Sequence, residues 1–197
     1  PDNTYSRRFE MRTATRSRST ESIVMAGLLC ATGIIIPMFM PKIVLEPASF
    51  TLASHVPVFI AMFISPLVAF AVAIGTTIGF LMSGLPVIIV MRALSHVVFA
   101  TAGALWLTRY NINTVTKAGV FAVVTSLIHA FAEFLVVTTF YFGGNVSEKF
   151  YENGFLRSVI LLVFIGTFIH SLVDFVIAYV VSKPLTKSGV RLKAFQG

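Results

Sequence analysis

Charged residues are scarce in this sequence of 197 residues. Only 12% are Asp, Glu, Lys or Arg, against about 25% in an average soluble domain. Hydrophobic residues make up 56% of the chain and the mean hydropathy is +0.88, which excludes an ordinary soluble domain. Cys30 is the single cysteine, so no disulfide can form within the chain, and its apolar surroundings predict a small buried side chain. The apolar segments are long and continuous, which predicts an all-α membrane protein.

Several patterns that indicate an enzyme or a nucleotide-binding protein are missing. No Gly-x-x-x-x-Gly-Lys-Ser/Thr phosphate-binding loop occurs, so ATP hydrolysis is left to partner subunits. No His-Glu-x-x-His or other metal-ligand spacing occurs, so we predict no metal site. The segment Met82-Ser83-Gly84 lies in a predicted turn and lacks the setting of an intramembrane serine protease. The sequence therefore predicts a binding or transport protein and not an enzyme.

The net charge of +7 at pH 7 is explained by membrane topology, with no need for a nucleic-acid partner. The basic residues lie in the tails and short loops, without the interleaved aromatic residues of a nucleic-acid platform. Eleven of the fifteen Lys and Arg residues lie on the side of the two termini and three on the other side, if the chain crosses the bilayer six times. Both termini are therefore predicted to be cytoplasmic.

Six segments approach the roughly 20 apolar residues that a membrane-spanning helix needs. They cover residues 22–40, 51–64, 66–83, 86–108, 116–142 and 156–181, of which the second is marginal. We predict a six-transmembrane-helix bundle over residues 21–183, between a basic N-terminal segment (1–20) and a basic tail (184–197). In the N-terminal segment we expect order only near residues 19–21.

The breaks between the spans carry recognisable turn signals. Prolines end the first span and leave residues 43–54 as an ordered loop. Ser65-Pro66 predicts a helix stop and restart, with Ser as the N-cap. Residues 83–86 form a tight turn, and residues 143–154, which include Asn145, form a second polar loop on the same outer side.

Small residues at spacing four predict close helix packing. In the first helix they lie on adjacent strips, and they are Ala26, Gly27, Cys30 and Ala31. The third span carries Ala71, Gly75 and Gly79 at the same spacing.

Three consecutive spans each carry an ionisable pair at spacing four, which keeps both members on one helix face. The pairs are Arg92 with His96, His129 with Glu133, and His170 with Asp174. At about 1.5 Å per residue, Arg92 and Glu133 lie level in the outer half of the membrane, with the three histidines just below them. By the same count Asp174 lies too deep to join the set easily.

Two interpretations of this polar set remain open. Arg92 and Glu133 form a structural ion pair between helices, or they line a pocket open to the outside, where the Arg fork suits a carboxylate. The histidines with their carboxylates suit zinc or a proton relay, but the missing metal spacing argues against zinc. For Asp174, a structural bond to a neighbouring helix is favoured over contact with a ligand.

Four short segments follow one another in a fairly specific order along the chain. They are Phe50-Thr51-Leu52-Ala53-Ser54-His55-Val56-Pro57, Ile64-Ser65-Pro66, Arg92-Ala93-Leu94-Ser95-His96 and His170-Ser171-Leu172-Val173-Asp174-Phe175. In this order, over residues 20–185, they make the sequence resemble the substrate-binding S-component of an energy-coupling factor (ECF) vitamin transporter.

The resemblance implies a multi-pass vitamin-binding subunit in the bacterial cytoplasmic membrane, without a cofactor of its own. It docks on the transmembrane coupling subunit EcfT and topples in the membrane, while two ATP-binding subunits, EcfA and EcfA′, use ATP and Mg. In that family an Ala-x-x-x-Ala pattern of the first helix meets EcfT. Here Ala26-x-x-x-Cys30 and Gly27-x-x-x-Ala31 keep it only as small-x-x-x-small.

The expected vitamin carries a carboxylate. Pantothenate is the first choice, because Arg92 suits its carboxylate and Glu133 with the histidines suits its hydroxyl and amide groups; niacin or another B vitamin is the alternative. The predicted binding residues are Arg92, His96, His129, Glu133, Asn145, His170 and Phe50. A stand-alone proton-coupled carrier is the competing class, and the absence of an inverted repeat argues against it.

Overall fold

The computed structural model describes residues 3–45 and 48–196, with side chains from residue 20 onward apart from Ser49. Its α-helices are α1 (Asn3–Phe39), α2 (Val56–Ile64), α3 (Pro66–Met82), α4 (Val87–Trp106), α5 (Val115–Phe142), α6 (Glu148–Glu152) and α7 (Gly166–Lys187). A π-helical segment, Leu156–Ile165, runs directly into α7, and a 3₁₀ turn covers Lys193–Phe195. Strands β1 (Lys42–Leu45) and β2 (Ala48–Thr51) form an antiparallel hairpin.

Within the described residues, four helices are long and apolar enough to cross a membrane. They cover Thr20–Phe39, Val87–Trp106, Val115–Phe142 and Leu156–Lys187. These correspond to four of the six predicted spans, and α3 is a shorter apolar helix of 17 residues. The predicted span over residues 51–64 is wrong in extent, because Thr51 ends β2, residues 52–55 form a turn and the nine-residue α2 begins only at Val56.

The N-terminal segment departs from the expectation that order begins near residues 19–21. Its backbone is helical from Asn3 and continues without a break into the apolar part of α1. The segment has no glycine before Gly27 and no proline between Pro1 and Pro37. Once the apolar part is helical, extending the helix through such residues needs no new nucleation.

The predicted loop over residues 43–54 contains the hairpin, which the expectation of an all-α fold did not include. Lys42 pairs with Thr51 and Ile43 pairs with Phe50. Residues 46 and 47 lie outside the described part of the chain. The run Lys42-Ile43-Val44-Leu45 is rich in β-branched residues, which favours a strand between the flanking prolines.

Helix α2 lies inside the bundle. All nine of its residues are buried, and it contacts α1, α3, α4 and α7. Around it, α1, α3, α4, α5 and α7 follow one another as neighbours. A helix that is apolar on all sides is stable only in such a central position, so α2 is the core element that holds the outer helices.

The small-residue strip of α3 packs closely against α1, as its spacing predicted. A Cβ atom added at Gly75 would lie 2.5 Å from the Sγ of Cys30, so the two helix surfaces touch at this point. At the start of α3 the predicted restart is also confirmed. The Ser65 hydroxyl accepts a hydrogen bond from the Val68 N–H, and Pro66 occupies the first turn.

Candidate functional site

A cavity of about 280 Å³ opens between the hairpin and the ends of several helices. Its polar wall contains Lys42, Thr51, Ser54, His55, Thr76, Arg92, His96, Glu133, Thr167 and His170. Its apolar wall includes Phe50, Val58, Phe80, Leu85 and Ile89. A volume near the lower end of the roughly 300–1,000 Å³ typical of ligand sites, with a few polar groups on an apolar wall, suits a small organic molecule.

Arg92 and Glu133 form an ion pair, which is one of the two interpretations that their matched depths left open. Two Arg92 donors, Nε and Nη2, reach Glu133 Oε2 at 3.2 and 2.7 Å. The Thr167 hydroxyl donates to the same oxygen at 2.8 Å. The Glu133 side chain is 3% exposed, whereas that of Arg92 is 22% exposed and reaches the cavity. Because arginine has five N–H donors, three remain for a ligand, and the two interpretations of this pair are compatible.

His55 lies at the centre of the site, although it was not among the predicted binding residues. It precedes α2, and its ring lies edge-on to three other imidazoles, with centroids 4.9 Å from His96, 4.5 Å from His129 and 5.0 Å from His170. The signal in the sequence was a histidine at the junction of a polar loop and an apolar helix, a position where it faces the bundle interior. His55 therefore joins the polar groups of α4, α5 and α7 into one cluster.

Asp174 anchors the turn that carries His55. Its Oδ1 accepts from the Ala53 N–H and its Oδ2 from the His55 N–H, both at 2.8 Å, and His55 Nδ1 lies 3.0 Å from Oδ2. Asp174 therefore makes a structural bond, but to the turn before α2 and not to a neighbouring helix as expected. The expectation that Asp174 lies too deep to join the set is wrong, because the turn at residues 52–55 enters the bundle and meets it.

The turn has one unusual backbone conformation. Ala53 has φ of +67°, in the left-handed region that costs an ordinary residue about 1–2 kcal/mol. Its N–H is the group that Asp174 holds.

His170 and Phe50, two of the predicted binding residues, line the cavity and lie against each other with ring centroids 5.5 Å apart. His170 Nε2 is 3.0 Å from the Ser54 hydroxyl and 3.4 Å from Asp174 Oδ2. His129 is fully buried behind the cavity wall and stacks on Phe99 at 4.2 Å. His129 thus belongs to the cluster but has no direct contact with the cavity.

Asn145 is exposed and is separate from the other predicted binding residues. Its side-chain amide donates to the Gly143 carbonyl within its own loop at 2.8 Å, and it does not line the cavity. The loop at residues 143–154 does not cover the cavity either. Its helix α6 packs through Phe150 against Val137, Val159 and Val163. Of the two predicted loops, the one that contains the hairpin reaches the cavity, through Phe50, Thr51 and Ser54, and Lys42 of β1 joins them.

The four small residues of α1 separate into two strips with different surroundings. Ala26 and Cys30 are half-buried against the bundle, and the Cys30 thiol lies 3.7 Å from the Ala71 carbonyl of α3. Gly27 and Ala31 are exposed, and among the described atoms none lies within 4 Å of a Cβ placed at Gly27. The second strip is the one that a partner helix can approach.

Comparison with known proteins gives a relative that matches almost the whole chain. The niacin transporter NiaX of Lactococcus lactis subsp. cremoris (strain MG1363) is 40% identical over 188 residues, which cover 93% of this chain and 83% of NiaX. No family profile matches the chain. No solved structure matches it either. At this identity and coverage, the chain belongs to the family of this vitamin transporter.

Proposed function

We propose that the protein is the vitamin-binding S-component of an ECF-type importer and that its ligand is niacin in its carboxylate form, nicotinate. The observation that carries this proposal is Arg92, a cation with free donors on the wall of a small cavity. An Arg fork binds a carboxylate through two parallel hydrogen bonds, which fixes both position and orientation. The family relationship to a niacin transporter supports the same ligand class.

Niacin replaces pantothenate as the preferred vitamin. A pyridine ring gains from aromatic partners, and Phe50 and Phe80 both line the cavity with Arg92. Tyr141, another aromatic residue of the outer side, packs on Tyr151 and Phe155 instead. The size of the cavity also favours the smaller of the two vitamins.

Isothermal titration of the purified protein with nicotinate, nicotinamide and pantothenate tests this proposal. We expect nicotinate to bind most tightly, because nicotinamide lacks the charge that Arg92 recognises. Arg92→Ala is expected to lose at least about 100-fold in nicotinate affinity, since a charge-assisted pair contributes about 1.5–3 kcal/mol and a bidentate one more. Arg157→Ala, at an exposed arginine that does not line the cavity, is the matched control. Equal binding of nicotinate and nicotinamide would refute the carboxylate role, and tight binding of pantothenate alone would restore the other vitamin.

For transport, we propose that α2 and α3 complete a six-crossing bundle with both termini in the cytoplasm, as the distribution of Lys and Arg favours. The exposed Gly27 and Ala31 strip is the proposed contact for EcfT, since small residues allow close helix approach. ATP and Mg are then used by the two ATP-binding partners. Reconstitution into liposomes separates the alternatives: uptake that needs the partners and ATP supports the S-component, whereas uptake by this chain alone supports a proton-coupled carrier.

A further inference from the structure

A buried group of nitrogen and oxygen donors lies at the inner side of the cavity; three of its members line the cavity and His129 lies behind them. The group consists of His55, His96, His129 and Glu133, whose ligand atoms all lie within 4.8 Å of one another. His96 and His129 have ring centroids 4.8 Å apart, and both face the Glu133 carboxylate. The four residues come from the turn before α2, from α4 and from α5, so no metal-ligand spacing in the sequence places all four together, although the pairs at spacing four had marked His96, His129 and Glu133.

One donor in this group is unsatisfied. His129 is fully buried, and its Nε2 has no hydrogen-bond partner among the described residues. The nearest ionisable partner is Glu133 Oε1 at 3.5 Å, a contact that lacks hydrogen-bond geometry. A buried polar nitrogen left in this way is costly, and a bound cation would remove the cost.

Hydrogen bonds from neighbouring residues fix the orientation of these donors, as they do for the ligands of known metal sites. His129 Nδ1 lies 3.1 Å from the Ser171 hydroxyl, and His55 Nδ1 lies 3.0 Å from Asp174. Arg92 and Thr167 both bond to Oε2 of Glu133, which leaves Oε1 directed at the histidines. In metal sites, a ligating histidine uses its second nitrogen for such a bond, which fixes the ring.

We propose that His55, His96, His129 and Glu133 bind one divalent transition-metal ion of the zinc class. Tetrahedral zinc at about 2.0–2.2 Å from nitrogen and oxygen ligands requires donors roughly 3.3 Å apart. Two separations, 3.2 Å from His96 Nε2 and 3.5 Å from His129 Nε2 to Glu133 Oε1, already meet this requirement. Three imidazoles and one carboxylate select zinc-like ions over Mg²⁺ and Ca²⁺, which prefer oxygen.

A second donor set, His55, His170 and Asp174, shares His55. It is the weaker candidate, because His170 Nε2 is within hydrogen-bond distance of Ser54 and Asp174 already accepts two backbone N–H groups.

The test uses the full-length protein purified without a histidine tag and stripped with a chelator. Zn²⁺ is titrated calorimetrically, its stoichiometry is measured by native mass spectrometry, and Co²⁺ is used for its visible tetrahedral d–d bands. We expect one ion per chain and a higher melting temperature. His129→Gln and His96→Gln are expected to lose at least about 100-fold in affinity, and Ser171→Ala about 10- to 100-fold. His170→Gln is the matched control and keeps the ion.

Absence of a bound ion in the wild-type protein at micromolar Zn²⁺ overturns the proposal without any variant. Binding that survives His129→Gln but is lost in His170→Gln moves the ion to the second donor set and also overturns it. If His129→Gln does not fold, Ser171→Ala decides, because it keeps all four ligands.

The metal site goes beyond vitamin transport, so nicotinate binding is measured in parallel on the protein without and with bound Zn²⁺. A protein that binds Zn²⁺ but not nicotinate supports the metal site and refutes the proposed vitamin. A protein that binds nicotinate but not Zn²⁺ supports the proposed vitamin and refutes the metal site.

Discussion

Replacing Arg92 by Met tests how strongly the ion pair stabilises the bundle. The change leaves the Glu133 carboxylate, 3% exposed, without its cation. Breaking a buried pair from one side costs about 3–5 kcal/mol. We take the lower end, about 3 kcal/mol, because the Arg92 side chain is 22% exposed and partly solvated. At about 2–4 °C per kcal/mol for a chain of this size, the melting temperature should fall by roughly 6–12 °C.

The double variant Arg92→Met/Glu133→Leu separates stability from binding. Replacing both charges by apolar residues is often neutral or stabilising. Thr167 and His96 lose their contact with Glu133 in this variant, and this loss limits the gain. We therefore expect the double variant to recover at least half, but not all, of the melting temperature lost in Arg92→Met. It should nevertheless fail to bind nicotinate, since the guanidinium is gone. A folded bundle without vitamin affinity is the expected result.

Cys30 provides a probe for measuring the melting temperature. It is the single cysteine and is half-buried where α1 meets α3, so a thiol-reactive fluorogenic maleimide reports its exposure as the protein in detergent is heated. The two single variants and the double variant give a coupling energy. A coupling within about 0.5 kcal/mol of zero would mean that the two residues act independently. That result, or an unchanged melting temperature for Arg92→Met, refutes the reasoning.

Three further predictions concern the surroundings of the site. Asp174→Asn should speed hydrogen exchange of the N–H groups at positions 53 and 55 by about 10- to 100-fold, measured by mass spectrometry, because it weakens bonds to a charged acceptor; unchanged exchange would mean that Asp174 does not hold the turn. Gly166→Ala places a Cβ 2.6 Å from the ring of Phe50, so nicotinate affinity should fall while the melting temperature stays within a few degrees; normal titration would show that the ring moves freely. Gly27→Trp should keep vitamin binding and block capture of EcfT, because Gly27 is on the exposed strip of α1. Ala26→Trp should also lower the melting temperature, since Ala26 packs on the bundle. Normal capture of EcfT by Gly27→Trp would count against the exposed strip as the docking surface.

Much of the architecture could be predicted because it depends on local signals. Composition and apolar run length indicated a helical membrane protein, and the Ser65-Pro66 restart and the Gly75 packing point followed from residue types alone. The level positions of Arg92 and Glu133 followed from counting residues along two consecutive helices, and the ion pair was one of the two interpretations that this count left open. Such counts work because the helix has a fixed rise and both charges need a partner in an apolar environment.

The rest depended on where the chain enters the bundle between its spans. The span assignment treated residues 51–55 as part of a spanning helix, so it could not place His55 beside Asp174. Asn145 was assigned to the site because its loop is polar and was expected on the outer side, whereas its amide is satisfied within that loop. The donor cluster was invisible to motif spacing because its ligands are brought together by tertiary packing of distant segments.

The left-handed Ala53 makes the turn between the hairpin and α2 depend on a residue of another helix. Asp174 holds that conformation through the Ala53 N–H, and an alanine without this bond relaxes toward negative φ. A glycine adopts a φ of +67° without the cost of about 1–2 kcal/mol that an alanine carries there. In Ala53→Gly the turn therefore keeps its conformation with less help from Asp174.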